Sequence, residues 1–288
     1  MSRLTQTVNG IVLKEIRTKE SDKILTVLTS ELGVISIYAK GAMRLNNKFH
    51  SATGLFTYSE FTIYDGGKDK LYQLDEADVK NIFFKLTQSV EKIGLAMYMA
   101  ELVGEVTVPS DRTDDTLRLF LNCLYMMCEE KWSVLLTKAA FEMRLMSDTG
   151  FMPDLVGCKR CGIYEHPDFV FDPDNGQLVC PQCKKEWDFS YIICEPPTLL
   201  AMRYLVFPEL DRMFTFNLTG YSLVRLCMIC ERFVIYQTKE HYKTLDFLRP
   251  LLHDLTDKEL EIERKKSELR RLQDAAERAF EDMYLRRE

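Results

Sequence analysis

Four cysteines in two pairs carry the most specific chemistry in this 288-residue chain: Cys158-Lys159-Arg160-Cys161, eighteen residues, then Cys180-Pro181-Gln182-Cys183. A C-x-x-C pair bends back so that both thiolates face one ion, and two such pairs fill the tetrahedron that zinc prefers. The separation lies in the range that reads as a zinc site. Four thiolates leave no open position for water, so the expected cofactor is one structural Zn2+. Gly162 permits the tight turn of such a knuckle. Asp168–Asp172 and Gln177–Val179 are expected to pair as a hairpin around Pro173-Asp174-Asn175-Gly176. Two disulfides or four bare thiols compete with this reading, but a reducing cytosol disfavours both. His166 as a substitute ligand would break the paired symmetry. Cys227-Met228-Ile229-Cys230 has redox spacing, yet it sits in an apolar helical run and reads as two small core residues. Cys123, Cys128 and Cys194 have no partner pattern and are expected to be buried.

A second constellation is Ala39-Lys40-Gly41-Ala42-Met43-Arg44-Leu45-Asn46-Asn47-Lys48-Phe49-His50. Cations at Lys40, Arg44 and Lys48, four residues apart, can follow the phosphates of a strand, and Phe49 could stack on a base. A plain solvated loop is the competing reading. Residues 1–50 hold eight basic and four acidic side chains, a sum of +4, so the other 238 residues carry −10 of the net −6. Lys14, Arg17, Lys19 and Lys23 extend the basic set, and a polyanion should approach this part of the chain. No G-x-x-x-x-G-K-[ST] loop, G-x-S-x-G elbow or H-E-x-x-H pair is present. The histidines, His50, His166, His241 and His253, have no catalytic partner in sequence, so a non-enzymatic role is expected.

The elements that must position these residues are of two kinds. Hydrophobic residues make up 46% and charged residues 28%, which excludes a mainly disordered chain and a disulfide miniprotein. Residues 1–80 read as five strands: Val8–Ile16, Lys23–Thr29, Gly33–Ala39, Leu55–Tyr64 and Leu71–Leu74. A five-stranded OB-type barrel fits this length, with a split sandwich as the alternative. From Ile82 onward apolar residues recur at helical spacing. Three helices are expected around Ile93–Gly104, Leu117–Cys128 and Leu135–Met146, with Ser110-Asp111 and Thr113-Asp114 as caps before the second. Helical spacing returns at Thr198–Phe207 and Tyr221–Tyr236. The fold class is therefore α+β, with a barrel domain over 1–80 and a helical domain over 81–252 that contains the cysteine insert 157–186.

Residues 253–288 read as a separate charged helical extension, with nine basic and eleven acidic residues in 254–288. Thr256-Asp257-Lys258-Glu259 has the capping-box pattern of a helix start. Ile262, Leu269, Leu272, Ala276, Phe280 and Met283 trace a thin apolar stripe that suits either a coiled coil or a solvated helix held by i,i+4 ion pairs. No apolar run approaches eighteen residues and the N-terminus has no signal-peptide core, so no membrane is expected and the cytoplasm, with nucleoid association, is the expected location.

The order of these features resembles the RecO family of DNA repair and recombination mediators. The resemblance rests on GIVLKEIRTKESDKILTVLTSELGVISIYAKGAMR and LFTYSEFTIY. It rests also on the Glu20-Ser21-Asp22-Lys23 turn, on Ala39-Lys40-Gly41-Ala42 with Arg44 following, on the paired cysteines and on the helical part ending in KTLDFLRPLL. It covers about residues 1–252. It implies an N-terminal OB-fold and a helical domain with a zinc-ribbon-like insert. It implies binding of single- and double-stranded DNA, annealing of complementary strands, and partnership with RecR and with the C-terminal tail of single-stranded-DNA-binding protein, so that RecA is loaded. Lys40, Arg44 and Lys48 carry over by position; Lys14, Arg17, Lys19 and Lys23 rest on charge alone. The competing functions are a zinc-stapled protein-interaction adaptor without DNA contact and a thiol oxidoreductase built on Cys227 and Cys230.

Overall fold

The computed structural model describes residues 4–44, 46–66, 71–107, 112–184 and 191–285. Strands β1 (Thr5–Thr18), β2 (Asp22–Thr29), β3 (Val34–Ala39), β4 (Thr57–Asp65) and β5 (Leu71–Ile82) close into a barrel of order β1-β2-β3-β5-β4. All pairings are antiparallel except β3 with β5, the pairing that distinguishes an OB barrel from a meander and removes the split-sandwich alternative. Gly10 permits the closure: a Cβ there would lie 2.6 Å from Val27 and 2.8 Å from the Leu28 carbonyl.

Strict alternation fails in β1, where Ile11, Val12 and Leu13 are all buried. A register shift between Val12 and Lys14 accounts for it, because an extra residue turns the strand's faces. Val12 enters the barrel core with Val8, Leu25, Val27, Ile37, Phe61 and Ile63, whereas Ile11 and Leu13 face outward into the helical core. One side of the barrel is therefore covered by helices.

Those helices are α1 (Val90–Val106), α2 (Asp114–Cys128), α3 (Val134–Asp148), α4 (Pro196–Val206), α5 (Leu210–Met213), α6 (Gly220–Thr238) and α7 (Lys243–Leu285). The expected caps before α2 divide: Ser110 and Asp111 lie outside the described residues, and Thr113 occupies the N-cap position without capping. Its hydroxyl donates instead to the Thr29 carbonyl at 2.5 Å, and its amide to Ser30 at 2.9 Å, so the barrel tethers the helix start. Between α3 and α4 lies a small sheet, β6 (Asp154–Cys158), β7 (Phe169–Asp172), β8 (Gln177–Val179) and β9 (Ile192–Cys194), in the order β6-β8-β7-β9. The expected hairpin is β7 with β8.

The extension is not a separate helix. The chain is helical without a break from Lys243 to Leu285, through Pro250. Thr256 caps nothing; its hydroxyl bonds back to the Leu252 carbonyl at 2.9 Å, as a mid-helix threonine does. The side chains of Leu269 and of 272–285, which hold most of the apolar stripe, lie outside the described residues.

A buried charge cluster joins four of the helices. The Lys138 ammonium of α3 lies 2.7 Å from Glu142 and 2.9 Å from Glu231 of α6. Tyr98 of α1 donates to Glu142 at 2.8 Å, and Arg249 of α7 lies 2.9 Å from Glu231. Burial pushes the Glu142 carboxyl up to about 7, against the pull of Lys138. Burial also works against the charge of Lys138, but Glu142 and Glu231 outweigh it and raise its pKa. Removing one member strands the others, whereas an apolar pair of similar volume does not. Lys138→Ala is expected to cost about 3–5 kcal/mol in urea unfolding, with Lys138→Met combined with Glu142→Leu recovering most of that loss.

Candidate nucleic-acid interface and metal centre

The basic loop joins β3 to β4 and is fastened by the turn between β1 and β2. Lys19, in the left-handed region at φ 50°, lets the hairpin reverse. The Ser21 carbonyl then accepts from the Met43 amide at 2.9 Å, and Asp22 Oδ1 accepts from the Gly41 amide at 2.7 Å. The Tyr38 hydroxyl donates to the other Asp22 oxygen and accepts from Lys19 Nζ at 3.1 Å. The Tyr38 hydroxyl, and after it the Gly41 amide, hold the Asp22 carboxyl below the usual carboxylate range. Gly41 has φ +69°, and a Cβ there would sit 3.0 Å from Asn47, so this position favours glycine. Beyond it the loop winds in successive turns, with Arg44 N to Gly41 O at 3.0 Å, Asn47 N to Arg44 O at 2.9 Å and His50 N to Asn47 O at 3.0 Å.

This arrangement displays Lys40 and Arg44, both exposed, at the two ends of one turn, with exposed Lys19 on the adjoining hairpin. The other expected members sit elsewhere. Lys48 is exposed but lies 3.7 Å from Glu76 and over the Phe49 ring. Arg17 is exposed and stands opposite Lys23 in the β1–β2 ladder. Lys14 lies five residues, roughly 17 Å, back along β1 from Lys19. There it lines a groove of about 530 Å3 against Met97, Ala100 and Glu101 of α1.

Two expected residues do not face solvent. Phe49 is 9% exposed and packs in the barrel core, because the loop's last turns fold over the barrel end; its ring is not a stacking platform. Lys23 is 7% exposed. Its ammonium lies 2.6 Å from Glu15 and 3.3 Å from the Thr53 carbonyl, so it holds the far end of the loop instead of meeting a ligand. Sequence reasoning missed the positioning roles of Asp22 and Tyr38. Their only signal was the Glu20-Ser21-Asp22-Lys23 turn, whose purpose shows once Gly41 is seen to need an acceptor.

At the other site all four sulfurs, of Cys158, Cys161, Cys180 and Cys183, lie within 4.8 Å of one another and could hold a metal ion. The backbone supports a thiolate at Cys158, whose Sγ accepts from the Cys180 amide at 3.3 Å, whereas the neighbouring sulfurs push the Cys183 thiol up to about 12 in the absence of an ion. Burial works against ionisation of Cys158, but amides of Cys180, Cys161 and Arg160 bring its thiol down to about 6. Each knuckle closes on itself, through Gly162 N to Cys158 O at 2.9 Å and Cys183 N to Cys180 O at 3.0 Å. Gly162 has φ +76°. His166 is outside the cluster, accepting from the Asp168 amide at 3.0 Å. The donor set is all sulfur, closed, and complete without the histidine. Cys123, Cys128 and Cys194 are buried. Cys227 and Cys230 lie inside α6, where burial pushes Cys227 up to about 12 and Cys230 well above the ordinary thiol value. Neither is a thiolate near neutral pH, so redox exchange has no nucleophile there.

Family models cover the barrel and most of the helical part. A family model for the N-terminal part of recombination protein O matches residues 1–83, and one for its C-terminal part matches 87–246. A DNA repair protein RecO of Acetivibrio thermocellus is 30% identical over 243 residues, covering 84% of this chain and 96% of the relative. The RecO of Caldicellulosiruptor saccharolyticus is 34% identical over 181 residues, 63% of this chain and 73% of its own. That of Alkaliphilus metalliredigens is 26% identical over 243 residues, 84% and 98% respectively. Among the described residues no helix is long and apolar enough to cross a membrane. An OB barrel covered on one side by helices, with a four-cysteine insert and matches of this length, makes the chain a member of the RecO family of DNA repair proteins.

Proposed function

We propose that this protein serves DNA repair and recombination by binding alone. In this reading it holds single- and double-stranded DNA on the barrel through Lys40 and Arg44, with Lys19, Arg17, Lys48 and Lys14 as flanking cations. The observation that carries it is the latched loop: Asp22 and Ser21 hold a turn so that Lys40 and Arg44 stay exposed on a rigid OB barrel. Fixed cations attract phosphates through counterion release, without regard to sequence. Gathering two backbones on one cationic face lowers their repulsion, and annealing then needs only close approach and freedom to pair. The acidic β5 surface, with Asp75, Glu76 and Asp78, keeps a polyanion on the β1–β3 side. The finer roles proposed with this reading are partnership with RecR, recognition of the tail of single-stranded-DNA-binding protein and delivery of DNA to RecA in the cytoplasm. The four cysteines are assigned one structural Zn2+, which fixes the two knuckles to a small sheet whose Phe169, Phe171 and Leu178 pack in the helical core. A pure adaptor role would require no DNA contact.

Fluorescent DNA titrated across a salt series tests the interface. Lys40→Ala with Arg44→Ala should weaken binding to every sequence and flatten the slope of log affinity against log salt by about 1.8 for duplex; an unchanged slope sinks the assignment. Asp22→Ala should act differently. The cations remain, so the slope stays near wild type, while amides of Gly41 and Met43 exchange roughly tenfold faster once their anchor is lost. Since the folded Asp22 carboxyl titrates below its unfolded value, the latch is intact at neutral pH and loosens as pH falls through the carboxylate range. For the metal, elemental analysis should find one zinc per chain. Cys161→Ser should lower the melting midpoint by about 5 °C, the shift expected from a loss of about 3 kcal/mol in a chain of this length.

A further inference from the structure

The charges of α7 change sign where the helix leaves the body. Residues 254–263 hold five acids, Asp254, Asp257, Glu259, Glu261 and Glu263, against one cation, Lys258. Residues 264–271 hold five cations, Arg264, Lys265, Lys266, Arg270 and Arg271, against one acid, Glu268. Two of the acids, Glu259 and Glu263, reach the start of α6, and two others pair along α7 itself. Glu259 Oε1 accepts from the Gly220 amide at 2.6 Å, at the start of α6, where the N-terminal end of a nineteen-residue helix favours carboxylates. Glu263 lies so close that a Cβ on Gly220 would meet its carboxylate oxygen at 2.7 Å. Asp257 is 3.3 Å from His253, and Glu261 pairs with Lys265 at 2.6 Å.

The cations are not used in this way. All five are exposed, and among the described side chains only Lys265 has an ion-pair partner. From residue 264 to 285 the helix runs on for roughly 33 Å. Its cations fall on two faces. Arg264 and Arg271 share one side, seven residues apart; Lys266 and Arg270, four apart, share another, about a third of a turn away. This stretch lies beyond residue 246, where the family match ends.

We infer that residues 264–271 of α7 form a second nucleic-acid contact, separate from the barrel, that takes the phosphate backbone through its charge and without base readout. A helix with cations on two sides can neutralise two backbones at once, which is the requirement of annealing. The inference rests on the proposed DNA binding and adds a place where a second strand is held.

The test uses the full chain with Arg264, Lys266, Arg270 and Arg271 all changed to Gln, which keeps the helix propensity and the Glu261–Lys265 pair. Labelled duplex is titrated across a salt series beside the Lys40→Ala, Arg44→Ala variant. The salt slope should fall by about 3.6 for four lost contacts, with helix content by circular dichroism unchanged. Substituting either pair alone should remove about half of that. An unchanged slope in the fourfold variant overturns the inference, whatever the barrel variant does. A change in sedimentation with the slope intact also overturns it, because the band would then hold protein. If the barrel variant leaves the slope unchanged and the helix variant flattens it, the barrel assignment fails and this one stands.

Discussion

An ammonium group withdrawn from water must be satisfied, and the N-terminal surface of this protein is organised around one such group. Lys23 sits at the base of the β1–β2 hairpin with Glu15 at 2.6 Å and the Thr53 carbonyl at 3.3 Å. Glu15 stays with it whatever the loop does, and the Thr53 carbonyl adds a charge-assisted hydrogen bond that favours the loop folded against the hairpin. Asp22 next to it fixes the opposite end of the loop through the Gly41 amide. Two adjacent residues of opposite charge thus clamp a seventeen-residue connection (40–56) that would otherwise wander. The cations on its outside gain a defined position because those beneath it have none to spare.

The helical half meets the same constraint in a different way. Lys138 and Glu142 are buried, with Glu231 half-buried beside them, at the meeting point of α1, α3, α6 and α7, and Glu142 Oε2 has no hydrogen-bond partner among the described residues. Such a cluster specifies more than it stabilises: each helix has one angular setting at which its charged member is paired. The barrel is joined to this half by Thr113 and by the Phe56–Phe120 ring contact at 6.4 Å. Barrel and helices therefore share one core, with Ile11, Leu13, Leu28 and Phe56 contributed by the barrel's outer face.

Much of this was legible in the residues. The cysteine spacing picked out the four residues whose sulfurs come together, because tetrahedral coordination leaves few alternatives. Four barrel strands showed as β-branched runs, and α1, α2 and α3 as helical periods, each to within a few residues; β5, expected over Leu71–Leu74, runs on to Ile82 through a polar, charged stretch without that signature. What failed had local physical causes. Phe49 and Lys23 were assigned to the surface because residue type was read without the loop's path, and that path is set by distant partners: Ser21, Asp22 and Thr53. The parallel β3–β5 pairing has no local signature. A capping box at Thr256 was read as a helix start, but the helix already begins at Lys243, and a threonine inside it can bond the Leu252 carbonyl instead. The double register of β1 follows from the bulge at Leu13, which an alternation count cannot see.

The continuity of α7 has a mechanical consequence. Its first turns carry Leu245, Leu248 and Leu252 into the core and Arg249 onto Glu231, while its backbone continues as one helix to Leu285. A rod with one end clamped does not absorb a load at its tip; it transmits torque to its root. Any body that grips the distal segment would pull directly on the helices around Lys138, with no slack joint between them.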